Sequence, residues 1–433
     1  MESATNLMMI TAVLGFDRVP DASRLRARAR PILDDIPRLR QRVHQGGRRR
    51  PRWVEAADID LNKHIRHSRL ARDGDEVVWQ RVSELMSTPL DRRRPLWAID
   101  LLEAPSGDGV AVARLHHSIG DGLVLMLALL SLTDVRATSH PEDNPLAHIF
   151  RPDADLDAAR AFLQTLFPGG LALMRKQAGR RRTLDPRPLA RGLGAALELL
   201  LLPPDPPSPL RGPLHVKKRA ATSRAIDLEE IKNLAAALDG TINDVMTALV
   251  AGALRRYLKR QRRAPAVDLR VAVPINLRDL AHMAELGNRF GLLFVSLPIE
   301  LADPRERVAE ARRRIGSLKA SPQPAVTYGL LRLLGLGPRL LEDRVVDLFA
   351  RKVTAVMTNV PGPVRTLYLA GEPIRSLVFW VPQTARVGLG ISVSSYAGRM
   401  WIGVASDAGL IDEPDSLVAC VHDELDALTA AAR

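Results

Sequence analysis

The sequence predicts an α/β (α+β) protein of two domains, and three observations carry that reading. The 433 residues exceed the roughly 250–300 over which a single hydrophobic core keeps growing. Helical and strand-like apolar patterns occur in both halves, as packed α/β layers require. A proline-rich stretch, LLPPDPPSPLRGP, separates the halves. These features place an N-terminal domain at residues 1–202, a crossover linker at 203–218 and a C-terminal domain at 219–433.

Taken in order, the N-terminus MESATNLMMITAVLGFD carries Glu2 in place of a basic segment and shows no small-residue cleavage pattern. It therefore does not read as a secretory signal, and a cytoplasmic location is expected. Residues 21–43 open with an Asp/Ser cap signal and space their apolar residues as a surface helix ending near Ile36-Pro37. Residues 75–89 give a second amphipathic helix, and Ile99–Leu102 and Gly109–Leu115 read as strands of one buried sheet. From about 140 to 215 the pattern loosens into a crossover. Beyond it, Asp227 caps a helix with Glu230 three residues on and Gly240 at its close, and Thr241 caps a second running from Ile242 to Arg260. Strand-like segments follow at 269–275, 292–299, 353–360, 376–382, 388–396 and 399–406.

Composition narrows the function classes. No apolar run reaches the roughly 18 residues of a membrane span; Leu123–Leu132 and Leu193–Leu202 are short, and Glu198 interrupts the second. One cysteine, Cys420, can make neither an internal disulfide nor a thiolate metal site. The net charge of +13, gathered at 24–31, 38–52, Arg180–Arg182 and 255–263, suits phosphate on nucleic acid, on anionic lipid or on a cofactor, or else is plain solvated surface. Only 4% of residues are aromatic, and no recognition module is visible, which counts against nucleic acid.

The stretch HHSIGDG, residues 116–122, lies between a strand pattern and the helix-like LVLMLALLSL. Neighbouring side chains of a strand point to opposite faces, so His116 and His117 do not serve one centre, and one of them is structural support. No third metal ligand stands at usable spacing, so no metal is expected. Gly120 and Gly122 permit a sharp turn, and Asp121 can cap the following helix while bracing the histidine loop. A neutral imidazole held there is a general base for an alcohol or thiol. No GxSxG, P-loop or GxGxxG pattern occurs.

HHSIGDG resembles the HHxxxDG motif of the acyl-CoA-dependent acyltransferase superfamily. HIR (64–66), PLDRRRPLW (89–97), TINDVMTALVAGALRRYL (241–258), VPINLR (273–278), GNRFG (287–291), TNVPGP (358–363) and SSYAG (394–398) are similar, in order, to one branch, the bacterial wax ester synthase/diacylglycerol acyltransferase family. That resemblance implies two chloramphenicol-acetyltransferase-like domains with a tunnel between them, His117 as the base and Asp121 as its brace. It implies acyl-CoA as co-substrate with no permanent cofactor, and diacylglycerol or a long-chain alcohol as acceptor. An anionic inner-membrane or lipid-inclusion surface is the implied partner. Pro95, Leu96, Trp97, Gly122, Asn243 and Asp244 are read as scaffold, with Asn243-Asp244 as cap residues. Thr358, Ser392, Ser394 and Ser395 are the oxyanion candidates.

Two departures stand out: the family carries about a dozen further residues ahead of the glutamate that Glu2 matches, and LARDG (70–74) replaces its LPxPG. An acyltransferase of the same superfamily for a polyketide, sugar or amine, and a non-catalytic lipid binder on this scaffold, remain the alternatives. The sequence leaves wax ester against triacylglycerol open.

Overall fold

The computed structural model describes residues 2–44, 51–138, 144–151, 153–168, 187–261, 267–278, 282, 285–318, 321–336, 339–383 and 386–433. The cluster Arg180–Arg182 and parts of the clusters at 38–52 and 255–263 lie outside them. Among the described residues two large sheets dominate. The first has five strands in the order Ser376–Trp380, Met9–Phe16, Gly109–His116, Trp97–Glu103, Ile65–Arg69. It is antiparallel except for its last pair. Val13, Leu25, Leu101, Val112 and Leu127 centre its core.

The second sheet runs Phe290–Leu297, Leu269–Asn276, Ala355–Val360, Leu389–Tyr396, Arg399–Asp407, Lys218–Thr222, with two parallel pairs in its middle. Alternation along the strands decides its faces. Ala355, Met357, Ile391, Val393, Ile402 and Val404 pack with the helices Ile242–Arg260 and Pro414–Ala432. The intervening Trp401 and Ala405 join the core of the first sheet.

Several features differ from the sequence reading. Met9–Phe16 is a central strand that no signal announced, because a continuous apolar run has no period to measure. Among its described residues the region 140–215 holds the helices Leu156–Leu166 and Arg187–Leu201, and the former buries Ala159, Leu163 and Leu166. The chain beyond the linker builds both sheets, since Ser376–Trp380 pairs with Met9–Phe16 at the edge of the first. Elsewhere the helix 21–43 ends at Asp35 before Pro37, and Thr241 caps Ile242–Arg260. Asp244 is not the cap residue. It closes a capping box from the third helical position, accepting from Thr241 N at 2.8 Å.

Candidate active site at the domain junction

Gly109–His116 ends at the first histidine, whose backbone N–H donates to Leu96 O at 2.9 Å. The next N–H, of His117, donates to Met8 O at 2.7 Å, so the chain is held on both sides as it leaves the sheet. The two rings go to different surroundings. His116 Nδ1 accepts from Ser118 N at 3.1 Å, which puts the proton of a neutral ring on Nε2. Nε2 faces Glu2 at 3.4 Å, an ion-pair distance without hydrogen-bond geometry. Glu2 also pairs with Arg92 of PLDRRRPLW, and His116 and Arg92 together hold its carboxyl below the usual range.

His117 instead lies 5.4 Å, centroid to centroid, from Phe290, the first residue of a strand in the second sheet. Burial pushes its pKa below the ordinary 6.5, against a hydrogen bond to its own backbone, the Asp121 charge and Asn288, which raise it. The imidazole is therefore neutral at pH 7. Asn288 Nδ2 also donates to His117 O at 3.2 Å.

Asp121 is buried and occupies both oxygens. Oδ1 accepts from Val124 N at 3.1 Å, capping the helix Gly122–Ser131. Oδ2 accepts from Arg278 Nη2 at 2.8 Å and from Arg289 N at 2.9 Å. Arg278 Nη2 also donates to Gly287 O at 2.8 Å, and Asp121 N donates to the same carbonyl at 3.3 Å. Gly120 and Gly287 form a bridge here. Gly287 has φ +111°, a conformation open to glycine and strained for other residues. Gly122 needs no such freedom, because its φ is not positive and a Cβ there would meet nothing within 4 Å. Its expected role as a turn glycine is corrected.

The remaining candidates separate. Trp97 is an anchor: its Nε1 donates to Leu39 O at 2.9 Å and its ring stacks on His64 at 4.3 Å. Pro95 and Leu96 are buried beside it. Asn243 accepts from Asn359 Nδ2 at 2.5 Å, joining two motifs at the second sheet. Ser394 Oγ donates to Leu377 O at 2.9 Å, and Ser395 Oγ accepts from Gly362 N at 3.2 Å. Thr358 and Ser392 are register partners on adjacent strands, and both hydroxyls are buried without a hydrogen-bond partner among the described residues.

Arg278, Asn288 and Phe290 were missed as functional residues. They lie 157–173 positions along the chain from their partners in HHSIGDG. The signal that could have found them was the stretches VPINLR and GNRFG themselves, distinct in sequence yet without a role until their contacts are seen.

Two packed α/β halves meet at the histidine loop, and solved structures share this fold. A wax ester synthase/diacylglycerol acyltransferase from Marinobacter aquaeolei VT8 superposes with a TM-score of 0.70 at 21% identity, over 100% of this chain and 96% of that one. The first condensation domain of the CDA synthetase does so at 0.58 and 14%, over 98% and 92%. In sequence, residues 1–246 match the wax ester synthase/diacylglycerol acyltransferase catalytic domain and 286–429 the WS/DGAT C-terminal domain. A probable diacylglycerol O-acyltransferase of Mycobacterium tuberculosis is 27% identical over 420 residues, 95% of this chain and 88% of that relative. A putative one from the same organism is 30% identical over 392 residues, 84% and 76%. The chain belongs to the wax ester synthase/diacylglycerol acyltransferase family.

Proposed function

We propose that this protein transfers an acyl group from acyl-CoA to the hydroxyl of diacylglycerol or a long-chain alcohol, with His117 as general base. One observation carries the reading: a neutral histidine, its pKa lowered by burial, sits where the two halves meet, on a loop clamped from the second half through Asp121 and Arg278. His117 takes the hydroxyl proton as the oxygen attacks the thioester carbonyl. The tetrahedral intermediate collapses with cleavage of the C–S bond, and the imidazolium returns the proton to the departing thiolate. Asp121 positions the loop. With both oxygens occupied, it has none left to relay a proton. Base catalysis contributes roughly 10²- to 10⁴-fold, which leaves the oxyanion donors a large share; Thr358 and Ser392 are better candidates than Ser394, whose O–H is spent on Leu377 O, because their buried hydroxyls have no partner among the described residues.

The relatives' names favour diacylglycerol as acceptor. Association with an anionic membrane or lipid-inclusion surface is supported by the +13 charge and by Leu197, Leu200 and Leu201, which are 57%, 53% and 71% exposed on the helix Arg187–Leu201. Among the described residues no single helix is long and apolar enough to cross a membrane.

The test is release of free coenzyme A from palmitoyl-CoA with dioleoylglycerol or hexadecanol. Wild type should release it only with acceptor present, His117→Ala should lose at least about 10²-fold, and His116→Ala should keep most of its rate. An active His117→Ala beside a dead His116→Ala would invert the assignment.

A further inference from the structure

A cavity of about 350 Å³ opens between the end of the helix Asp75–Ser87, the loop at 89–97 and the strands Ile65–Arg69 and Trp97–Glu103. Lys63, Arg66, Arg81, Arg94 and Arg114 line it, against one lining carboxylate, Asp91. Lys63 and Arg81 each have a carboxylate of their own, Asp60 at 3.4 Å and Glu84 at 2.7 Å. The others must share. Asp100 serves Arg66 at 2.6 Å and Arg114 at 3.2 Å, and Asp91 serves Arg93 at 3.0 Å and Arg94 at 3.6 Å. Arg93 lies outside the cavity, so among the described residues the five lining cations meet four carboxylates, Asp60, Glu84, Asp91 and Asp100, and a positive charge is left over at the cavity.

Arg114 makes this a built feature rather than a basic surface. Its side chain is 3% exposed, and its Nη1 is spent on Leu85 O and Thr88 O. Its Nε–H is buried with no acceptor among the described residues. Burial pushes its pKa down, and the like charges of Arg66 and Arg81 push the same way. A guanidinium does not escape such crowding by deprotonating. An anion in the cavity would relieve it.

We propose that this cavity binds a phosphate group, as carried by a phosphate monoester or a diphosphate. Four of the five lining cations are guanidinium groups, whose forks suit tetrahedral phosphate oxygens. The cavity wall includes Pro95 and Trp97, which flank Leu96, the residue whose carbonyl holds His116. A bound phosphate is thereby coupled to the histidine loop. The same chemistry fits a nucleotide phosphate and a lipid headgroup.

The experiment is calorimetric titration of the full-length protein with inorganic pyrophosphate. Binding should weaken at least about tenfold in Arg81→Gln/Arg94→Gln and stay unchanged in Arg313→Gln, which pairs with Glu310 on its own helix, Pro304–Leu318, and does not line the cavity. In unmodified wild type, pyrophosphate should protect Arg81 and Arg94 from phenylglyoxal, mapped by mass spectrometry, so the result does not depend on the variant folding. Weaker binding of dephospho-coenzyme A than of coenzyme A, in wild type but not in the double variant, identifies a nucleotide source. Preference for phosphatidic acid over phosphatidylcholine vesicles, lost in the double variant, identifies a lipid source. Absence of pyrophosphate binding to wild type, or binding and protection indifferent to Arg81 and Arg94, overturns the proposal. Every readout is binding, so its failure is separate from failure of the acyl-transfer reading.

Discussion

Replacing Asp121 tests whether the histidine loop is clamped from across the junction. Asp121→Ala removes three acceptor contacts: to Val124 N at 3.1 Å, Arg278 Nη2 at 2.8 Å and Arg289 N at 2.9 Å. The lost helix cap alone costs about 1 kcal/mol. The larger effect is on Arg278, whose side chain is 1% exposed and would keep a buried charge; breaking such a pair costs about 3–5 kcal/mol. Carbonyls of His282 and Gly287 still solvate the guanidinium, which points to the lower half of that range. Arg278→Met should cost less, because it leaves a carboxylate that retains two backbone donors. In the double variant neither charge is stranded, so a coupling of about 2–3 kcal/mol is expected between the sites. Urea unfolding followed by tryptophan fluorescence measures it. Additivity within about 0.5 kcal/mol would refute the clamp, and a fully stable but inactive Asp121→Ala would move the carboxylate into the chemistry.

Burial lowers the His117 pKa below 6.5, so the acid limb of kcat/KM against pH should fall below that value. By the same shift the unfolded chain binds more protons between the folded pKa and 6.5, so the histidine's contribution to stability is present above pH 6.5 and lost as pH falls. Cys420 is fully buried, burial pushes its thiol pKa up, and His422 Nε2 instead accepts from Arg224 N at 3.3 Å. Cys420→Ser should therefore keep most activity, and enzyme given radiolabelled acyl-CoA without acceptor should carry no stable label. Binding to anionic vesicles should weaken as salt rises, given the +13 charge; salt-independent binding in a sedimentation assay would assign it to the exposed leucines alone.

Much of this was legible in the sequence, for reasons that residues explain. Periodic segments such as Ile242–Arg260 and Leu389–Tyr396 announce themselves because their apolar spacing is a local property. The loop was legible because two histidines, an aspartate and two glycines at a strand-to-helix turn fit no packing role. What could not be read is pairing at long range. Nothing in SLVFW says that Ser376–Trp380 will edge the first sheet, and nothing in VPINLR says that Arg278 will reach Asp121. Gly122 shows the opposite error, a glycine credited with a conformational need that its backbone does not have.

The four hydroxyls equal in sequence are unequal in structure. Ser394 donates its O–H to Leu377 O, whereas Ser395 accepts from Gly362 N and keeps its O–H to donate. Thr358 and Ser392 are buried and unpaired, a condition that costs about 1–3 kcal/mol for each polar group left without water. Trp380 Nε1 is unpaired as well, and it converges with Ser392 Oγ on the space over Gly403, where a Cβ would lie 2.9 and 2.6 Å from them. If the partner of Thr358 or Ser392 is a charge that exists only during the reaction, removing the hydroxyl should not harm the resting fold. Thr358→Val and Ser392→Ala should then be as stable as wild type or more so, while the donor that meets the oxyanion should cost about 10²- to 10³-fold in kcat with little change in KM. Loss of stability without loss of kcat in both variants would show that these hydroxyls serve buried water, and the oxyanion donors would have to be backbone N–H groups.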